Sequence, residues 1–414
     1  MKILVVYPYI PYPLNRGAYY RAFHLLKGLA REHTVDLLAL AENFEGIKQK
    51  DVFAEFCREV EFIPFQHPEW ERLFPKRLFN SLPSTVAHWT VPAVREAIRQ
   101  RLGKHDYDAV HLCDIVLAQY FLKEFREIPL VIDRTRVDLQ YQLMEQKRMR
   151  FSFKNRLLNL ENLAKLWAFE KVVAQRSRLQ VVCGPDDESF TRQYISGKVP
   201  ISVIPNGVDL EYFQPCHLEQ LRDSEPTLLF CGAMDYNPNI DALRWYFSEI
   251  HGDLKQAVPD LRILIVGKDP VQEVVSYGKL PSVTVTGGVP DVRPYYQRAW
   301  MQMVPLRIGG GTRLKIVESM AMGTPVISTT IGAQGLDLTH EHDILLADSA
   351  ETFARECARS LQDEMLRRDL RQHGIETVQS RLSWEKLGAD LTRSYREVFP
   401  KCNNSQVPEP MLTQ

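Results

Sequence analysis

Short apolar runs that alternate with helical segments are the feature that most constrains how this chain can fold. The run KILVVYPYI at residues 2–10 is rich in β-branched residues, and GAYYRAFHLLKGLARE follows it with apolar residues at helical spacing. Such runs are typical of parallel strands buried on both faces. Further runs follow as HTVDLLAL, VEFIPF, DAVHL, PLVID, RLQVVC and ISVIP. This alternation predicts a doubly wound α/β domain over roughly the first 200 residues.

The alternation restarts after the turn PNGVD at residues 205–209, with PTLLFCG, LRILIVG, SVTVTG, WMQMVP, TPVIST and DILLAD. We therefore expect a second doubly wound domain, and two halves that face each other across a ligand-binding cleft. The predicted fold class is α/β with two Rossmann-like domains. The predicted boundaries are 1–206 for the N-terminal domain, 207–382 for the C-terminal domain, 383–398 for a terminal helix, and 399–414 for a loose polar tail.

Charge and cysteine content exclude several classes of protein. The 51 Lys and Arg residues balance 52 Asp and Glu residues, so no basic field is present to hold nucleic acid. Seven cysteines occur without a CxxC pair, which favours a reducing compartment and no structural zinc. The sequence has no apolar stretch of about 18 residues that could span a bilayer. We expect a cytoplasmic protein, either free or peripheral at the inner face of the membrane.

A basic segment supplies the argument for membrane contact. Residues 146–156, QKRMRFSFKNR, contain five basic residues, two Phe and no acidic residue. This composition permits contact with acidic lipids, but a solvated, ligand-free surface is the favoured interpretation, because runs of charged residues usually face solvent. The sequence alone leaves both interpretations open.

The segment VPLRIGGGTRLKIVESMAMGTPVIST at residues 304–329 carries the strongest functional pattern. A strand is predicted to end near Pro305, followed by three glycines and by Thr312 as N-cap of a helix beginning at Arg313. Backbone N–H groups and the helix dipole make such a turn an anion site. Arg313 and Lys315 add two positive charges to the first turn, so a diphosphate is the expected ligand.

Glu318 lies one helical turn after Lys315. Its carboxylate could accept two hydrogen bonds from a vicinal diol such as ribose O2 and O3, each worth about 1.5 to 3 kcal/mol. The alternative is an exposed Lys315–Glu318 ion pair worth about 0.3 to 0.5 kcal/mol. The preceding glycines favour the ribose interpretation.

The N-terminal half offers weaker candidates. PYIPYPLNRG follows the first strand in place of GxGxxG, which argues against a nicotinamide dehydrogenase. Gly17, after Asn15 and Arg16, could bring backbone N–H groups to an anion, and Arg16 is either a second anion ligand or a plain loop arginine. His111 is predicted to close the strand DAVHL, where it either contacts the sugar or acceptor or is a core histidine.

Together these motifs resemble the retaining GT-B glycosyltransferases of the family-4 type, particularly bacterial exopolysaccharide sugar transferases. The resemblance spans residues 1 to about 398 and rests on PNGVD, GGGTRLKIVESMAMGTPVIST and IGAQGL. It implies a nucleotide-diphosphate sugar on the C-terminal domain, a glycan or lipid-linked acceptor on the N-terminal domain, and a terminal helix that crosses back. The donor-site residues implied by the resemblance are Arg313 and Lys315 at the diphosphate, Glu318 at the ribose, Gly309, Gly310 and Gly311 around the sugar and phosphates, Gly17 at the phosphate from the N-terminal side, Val289 near the base, and His111 near the transferred sugar. The local sequence adds Thr312 and Arg16 as substrate-binding candidates.

Two departures from that family pattern are visible. The family pairs two glutamates eight residues apart, whereas Gly310 stands eight residues before Glu318. Many relatives have a basic residue after the first C-domain strand, where this chain has FCGAMDYNPN, and Arg313 is the expected substitute.

The predicted reaction is sugar transfer with retention, in polysaccharide biosynthesis, without a cofactor. No HExxH motif or ligand cluster predicts a metal, and the lack of GxSxG argues against a serine hydrolase. The alternatives are a GT-B sugar-nucleotide epimerase and a catalytically silent GT-B scaffold.

Overall fold

The computed structural model describes residues 1–14, 16–42, 49–66, 80–148, 153–215, 221–309 and 312–400, and of 147–148 and 153–154 it describes the backbone alone. The chain divides into two compact units. The first contains Met1–Ile204 and Leu387–Gln414, and the second contains Pro205–Lys386. The sequence had suggested a boundary after residue 206.

The first unit is built on a parallel sheet with the strand order β3-β2-β1-β4-β5-β6-β7. Strand β1 lies between β2 and β4, where the direction of winding changes. Its five residues from Ile3 to Tyr7 are fully buried, as expected for a strand covered on both faces. The strands are β1 Lys2–Tyr7, β2 Thr34–Ala41, β3 Glu59–Pro64, β4 Ala109–Cys113, β5 Leu130–Asp133, β6 Ser177–Val182 and β7 Ile201–Val203.

Helices connect these strands. The longest, α6, has 24 residues and packs Leu163, Leu166, Phe169 and Val173 into the core of the unit. A 3-10 helix, Ile115–Tyr120, follows β4, and a π turn, Thr191–Ile195, continues α7. The described helices are α1 Gly17–Ala30, α2 Lys50–Ala54, α3 Ser84–Ala87, α4 Pro92–Lys104, α5 Asp138–Arg148, α6 Phe153–Arg176 and α7 Pro185–Phe190.

The second unit is built on a parallel sheet with the order β10-β9-β8-β11-β12-β13. Strand β8 lies between β9 and β11, so the winding changes direction at β8 and β11. All five residues of β8 are buried. The strands are β8 Thr227–Cys231, β9 Arg262–Val266, β10 Val283–Val285, β11 Met301–Val304, β12 Val326–Ser328 and β13 Leu345–Leu346.

The helices of this unit cover its sheet and enclose a separate apolar core. A π turn, Tyr246–Ile250, joins α8 to α9. The described helices are α8 Asn237–Trp245, α9 His251–Ala257, α10 Gln272–Tyr277, α11 Arg293–Arg298, α12 Leu314–Ala321, α13 Thr330–Ala333, α14 Ala350–Gln362 and α15 Glu364–Arg381.

The last helix, α16 (Trp384–Val398), begins in the second unit, and its residues from Leu387 onward belong to the first. Gly388 lies against Gly28 of α1 so closely that a Cβ added to Gly28 would lie 2.7 Å from Gly388 Cα. Arg396 pairs with Glu32, and Tyr395 is fully buried. Phe399, assigned to the tail by the sequence, is also buried, whereas residues 401–414 lie outside the described chain.

The prediction of two doubly wound parallel α/β domains is confirmed, because each apolar run named above contains an observed strand. Within the described residues, no helix combines the length and apolar character needed to cross a bilayer.

Candidate active site

The candidate site lies at the carboxyl ends of β8 and β11 in the second unit, beside the start of α12. In open α/β sheets, ligands bind at the edge where the winding changes direction. The chain leaves β8 at Gly232, and α12 follows the loop after β11. The first turn of α12 contains no acidic residue. The helix therefore presents unopposed N–H dipoles at this edge.

Lys315 extends from α12 to the end of β8. Its Nζ donates to Asn239 Oδ1 at 2.9 Å and lies 4.4 Å from the centre of the Phe230 ring. Loss of solvent lowers the pKa of Lys315 to about 8, the Arg313 charge acts in the same direction, and Cys231 and Glu318 oppose the shift. Among the described residues, the ammonium has one oxygen partner, the neutral Asn239 amide, and an anion would stabilise its charged form.

Glu318 lies on the same helix and bonds to a different neighbour. Its Oε2 accepts a hydrogen bond of 3.0 Å from the buried Tyr296 hydroxyl. Burial raises the pKa of Glu318 to about 7, while the Tyr296 hydrogen bond and the Lys315 charge oppose the rise. Lys315 bonds to Asn239 rather than to Glu318, so the simple ion pair considered as the alternative is not observed.

Arg313 is positioned by Gly309. A Cβ added to Gly309 would lie 2.2 Å from Arg313 Nη2, so a side chain at this position would displace the guanidinium. Gly309 also has φ +158°. Arg313 Nη2 donates a long hydrogen bond of 3.4 Å to the Ile331 carbonyl. Gly309 thus supports the arginine next to it, a role that the sequence did not suggest.

The expected capping role of Thr312 is wrong. The N-cap of α12 is Arg313, in extended conformation, and the helix starts at Leu314. The Thr312 hydroxyl instead accepts a 2.7 Å hydrogen bond from the backbone N–H of Asn206, and its carbonyl accepts a 3.0 Å bond from Asn206 Nδ2. Both residues are buried. The PNGVD turn thus fixes the chain that enters α12.

The other predicted ligands are distributed between the two units. Val289 follows β10 in the second unit and packs against that unit's core. In the first unit, Arg16 is the exposed N-cap of α1, its guanidinium 5.7 Å from the centre of the Tyr19 ring, and Gly17 is the first residue of that helix. The predictions for Gly310, Gly311 and Asn15 concern residues outside the described chain.

His111 does not end its strand as predicted, because β4 continues to Cys113. The ring is fully buried, and Nδ1 lies 2.8 Å from the Tyr395 hydroxyl of α16. Burial lowers the pKa of His111 to about 4. Nδ1 is thus satisfied by Tyr395, whereas Nε2 is buried without a hydrogen-bond partner among the described residues, so both interpretations of His111 stay open.

A second feature lies at the carboxyl edge of the first unit's sheet. A cleft of about 480 Å³ is lined by residues that include Tyr9, Trp89, Asp114 and Asp138. Asp114 has φ +75°, a conformation rare outside glycine, and its Oδ1 accepts from the N–H of Ile115. Burial is the main cause that raises the pKa of Asp114 to about 7, and the negative charge of Asp138 contributes to the rise.

Sequence reasoning missed the partners that hold the two charged residues of α12. Asn239 is buried and anchored by a 2.8 Å bond from Nδ2 to the Ala233 carbonyl. Tyr296 comes from α11. The polar segment NPN after β8 was a usable signal for Asn239, because it follows a strand end next to a helix start. No group of three or more His, Cys, Asp or Glu side chains suited to a metal occurs among the described residues.

Residues 225–363 match the family described as "Glycosyl transferases group 1". The chain is 20% identical over 369 residues to an "Uncharacterized 44.6 kDa protein in cps region" of Klebsiella pneumoniae, covering 86% of this chain and 89% of that protein. It is 23% identical over 336 residues to a D-inositol 3-phosphate glycosyltransferase of Segniliparus rotundus, covering 77% and 72%.

Solved structures share the fold. Sucrose-phosphate synthase from Thermosynechococcus elongatus superposes with a TM-score of 0.70 at 21% identity, over 97% of this chain and all of that one. Anabaena HepE in complex with UDP-glucose superposes with a TM-score of 0.65 at 14% identity, over 96% and 100%. The family match over residues 225–363 and the relative from Segniliparus rotundus support a glycosyltransferase, and the likeness to the solved structures shows the GT-B fold.

Proposed function

We propose that this glycosyltransferase takes its sugar from a nucleoside-diphosphate sugar bound at the start of α12, with the diphosphate at Lys315 and Arg313 and the ribose at Glu318. The observation that carries the proposal is the placement of Lys315: its ammonium stands at the end of β8 with Asn239 as its hydrogen-bond partner and a pKa of about 8. A diphosphate would give the ammonium a negatively charged hydrogen-bond partner in addition to the neutral Asn239 amide.

The reaction we propose is transfer with retention of configuration and without a metal or cofactor. Cleavage of the donor builds negative charge on the leaving diphosphate, and fixed cations and N–H dipoles aimed at that charge stabilise the transition state. Lys315, Arg313 and the first turn of α12 supply them from the chain itself. The resemblance to family-4 enzymes supports retention.

We further propose a glycan or lipid-linked acceptor bound by the first unit. Tyr9, which stacks on Tyr19, and Trp89, which stacks on Phe65, line this cleft. Asp114 and Asp138 offer carboxylate oxygens to sugar hydroxyls. The likeness to a protein encoded in a cps region supports a role in polysaccharide biosynthesis. A cytoplasmic location belongs to the same proposal.

Titration calorimetry with UDP tests the donor site. Lys315→Met should weaken UDP binding by about tenfold to a hundredfold, as expected for loss of a charged hydrogen bond. Lys279→Met, at an exposed lysine of the same unit, is the matched control and should bind UDP like the parent protein. Because the pKa of Lys315 is about 8, parental affinity should also fall above about pH 8, and Lys315→Met should lack that fall.

Equal UDP affinity in the Lys315 and Lys279 variants would contradict the proposed diphosphate site. Failure of the parent protein to bind any of UDP, GDP, ADP and dTDP would favour the catalytically silent scaffold. Glu318→Gln provides an independent check, because it should weaken UDP binding more than binding of inorganic pyrophosphate, which has no ribose.

A further inference from the structure

The outer face of α6 is apolar and exposed. Leu157, Leu160 and Trp167 retain 54%, 51% and 45% of their accessible surface, and Val172 retains 48%. Leu160 lies three residues after Leu157, and Trp167 lies seven residues after Leu160, so the three follow one face of the helix. The exposed Ala164 lies on the same face between Leu160 and Trp167. We call this face, Leu157 to Val172, the α6 stripe.

The stripe is not needed to hold α6 in place. The opposite face of the helix already packs Leu163, Leu166 and Phe169 into the core of the first unit. A helix that is apolar on both faces is typical of a buried or membrane-associated position. Grouped exposed apolar side chains mark interaction surfaces.

Tyr194 extends the stripe beyond the helix. Trp167 Nε1 donates a 2.8 Å hydrogen bond to the Tyr194 carbonyl, and the Tyr194 side chain is 50% exposed. Tyrosine and tryptophan combine an apolar ring with a polar atom. They are enriched where a protein meets the headgroups of a bilayer.

The charges at the stripe are positive. Lys171 Nζ lies 3.8 Å from the centre of the Trp167 ring, and Arg156 is exposed beside Leu157. Neither cation forms an ion pair within the part of the chain that the structure describes. The helix's two glutamates are both engaged: Glu161 pairs with Lys165, and Glu170 is buried against Arg134.

We propose that the α6 stripe docks onto a bilayer that contains anionic phospholipid, with the apolar side chains at the headgroup boundary and Arg156 and Lys171 on the lipid phosphates. An interfacial helix binds by buried apolar area together with attraction of its cations to acidic lipid. A second copy fits less well, since a twofold contact would bring the same cations together. The docking goes beyond donor binding and does not depend on it.

Vesicle flotation with the full chain tests the docking. The parent protein should float with vesicles made of equal parts phosphatidylcholine and phosphatidylglycerol, and much less with phosphatidylcholine alone. Leu157→Gln with Leu160→Gln should lower the partition coefficient by roughly tenfold or more, because two side chains no longer bury apolar surface in the lipid. Arg156→Gln with Lys171→Gln should remove the preference for the anionic vesicles.

The matched control is Leu221→Gln with Leu280→Gln, which changes two leucines of the second unit that are 49% and 40% exposed. This control should float like the parent, and circular dichroism should show the same helix content in all variants. Equal flotation of the two leucine variants would overturn the proposal. So would failure of the parent to bind anionic vesicles, or a parental dimer in sedimentation velocity that the Leu157 and Leu160 substitutions dissociate.

Discussion

At the scale of single residues, the candidate site depends on two side chains whose proton affinities are shifted in opposite directions. Burial lowers the pKa of Lys315 to about 8 and raises that of Glu318 to about 7. Each shift increases the population of the neutral form of the side chain near physiological pH. A ligand with the complementary group would favour the charged form and so reverse the shift. Such paired shifts are typical of functional sites.

His111 illustrates a different use of burial. Its folded pKa of about 4 lies below the ordinary value of 6.5, so between these values the unfolded chain binds a proton that the folded chain does not. The free energy of unfolding should therefore decrease as pH falls from about 6.5 to about 4, by on the order of 3 kcal/mol. His111→Asn should make this decrease shallower in urea unfolding measured across that range.

The reference for that measurement is the parental protein, unfolded in urea across the same pH range. If the His111→Asn and parental slopes coincide, the acid sensitivity of the protein has another source.

At the scale of elements, the contact between α1 and α16 depends on two glycines. Replacing glycine by alanine within a helix usually stabilises by about 0.5 to 1 kcal/mol. At Gly28 the added Cβ would lie 2.7 Å from Gly388 Cα, a backbone atom that can move only with its helix. Gly28→Ala should therefore destabilise the protein by about 1 to 3 kcal/mol in chemical unfolding.

Gly103 provides the comparison, because it also lies in a helix, α4, and an added Cβ there meets no atom within 4 Å. Gly103→Ala should be neutral or stabilising. Equal effects of the two substitutions would show that the close approach of α1 and α16 does not limit stability.

The sequence predicted elements better than the contacts between them. The parallel strands were recognisable because each is a short apolar run between helical segments. The N-cap of α12 was misassigned, because Thr312 bonds to Asn206, 106 residues earlier in the chain. The enclosure of His111 depends on Tyr395, 284 residues later. Lys315 and Glu318 were recognised from local spacing, whereas Asn239 and Tyr296 reach them only through the fold of the sheet.

At the scale of the whole molecule, the chain contains two compact units, each with its own apolar core. Separate cores favour separate cooperative transitions. Differential scanning calorimetry should therefore resolve two components. UDP at about a hundred times its Kd should stabilise the component of the second unit by about 2.7 kcal/mol.

Two variants show which unit each calorimetric component belongs to. Gly28→Ala should lower the transition of the first unit and leave the other in place, while Lys315→Met should reduce the shift that UDP produces. A single transition that UDP and Gly28→Ala displace together would show that the units unfold as one.

The return of the chain to the first unit at Leu387 has a consequence for biosynthesis. The ribosome has made every residue of the second unit before it makes Gly388 and Tyr395, which complete the first. Domains fold as their segments emerge during translation. The second unit can therefore fold first. The first unit stays incomplete until α16 has been synthesised, and until then His111 and Gly28 lack their contacts with that helix.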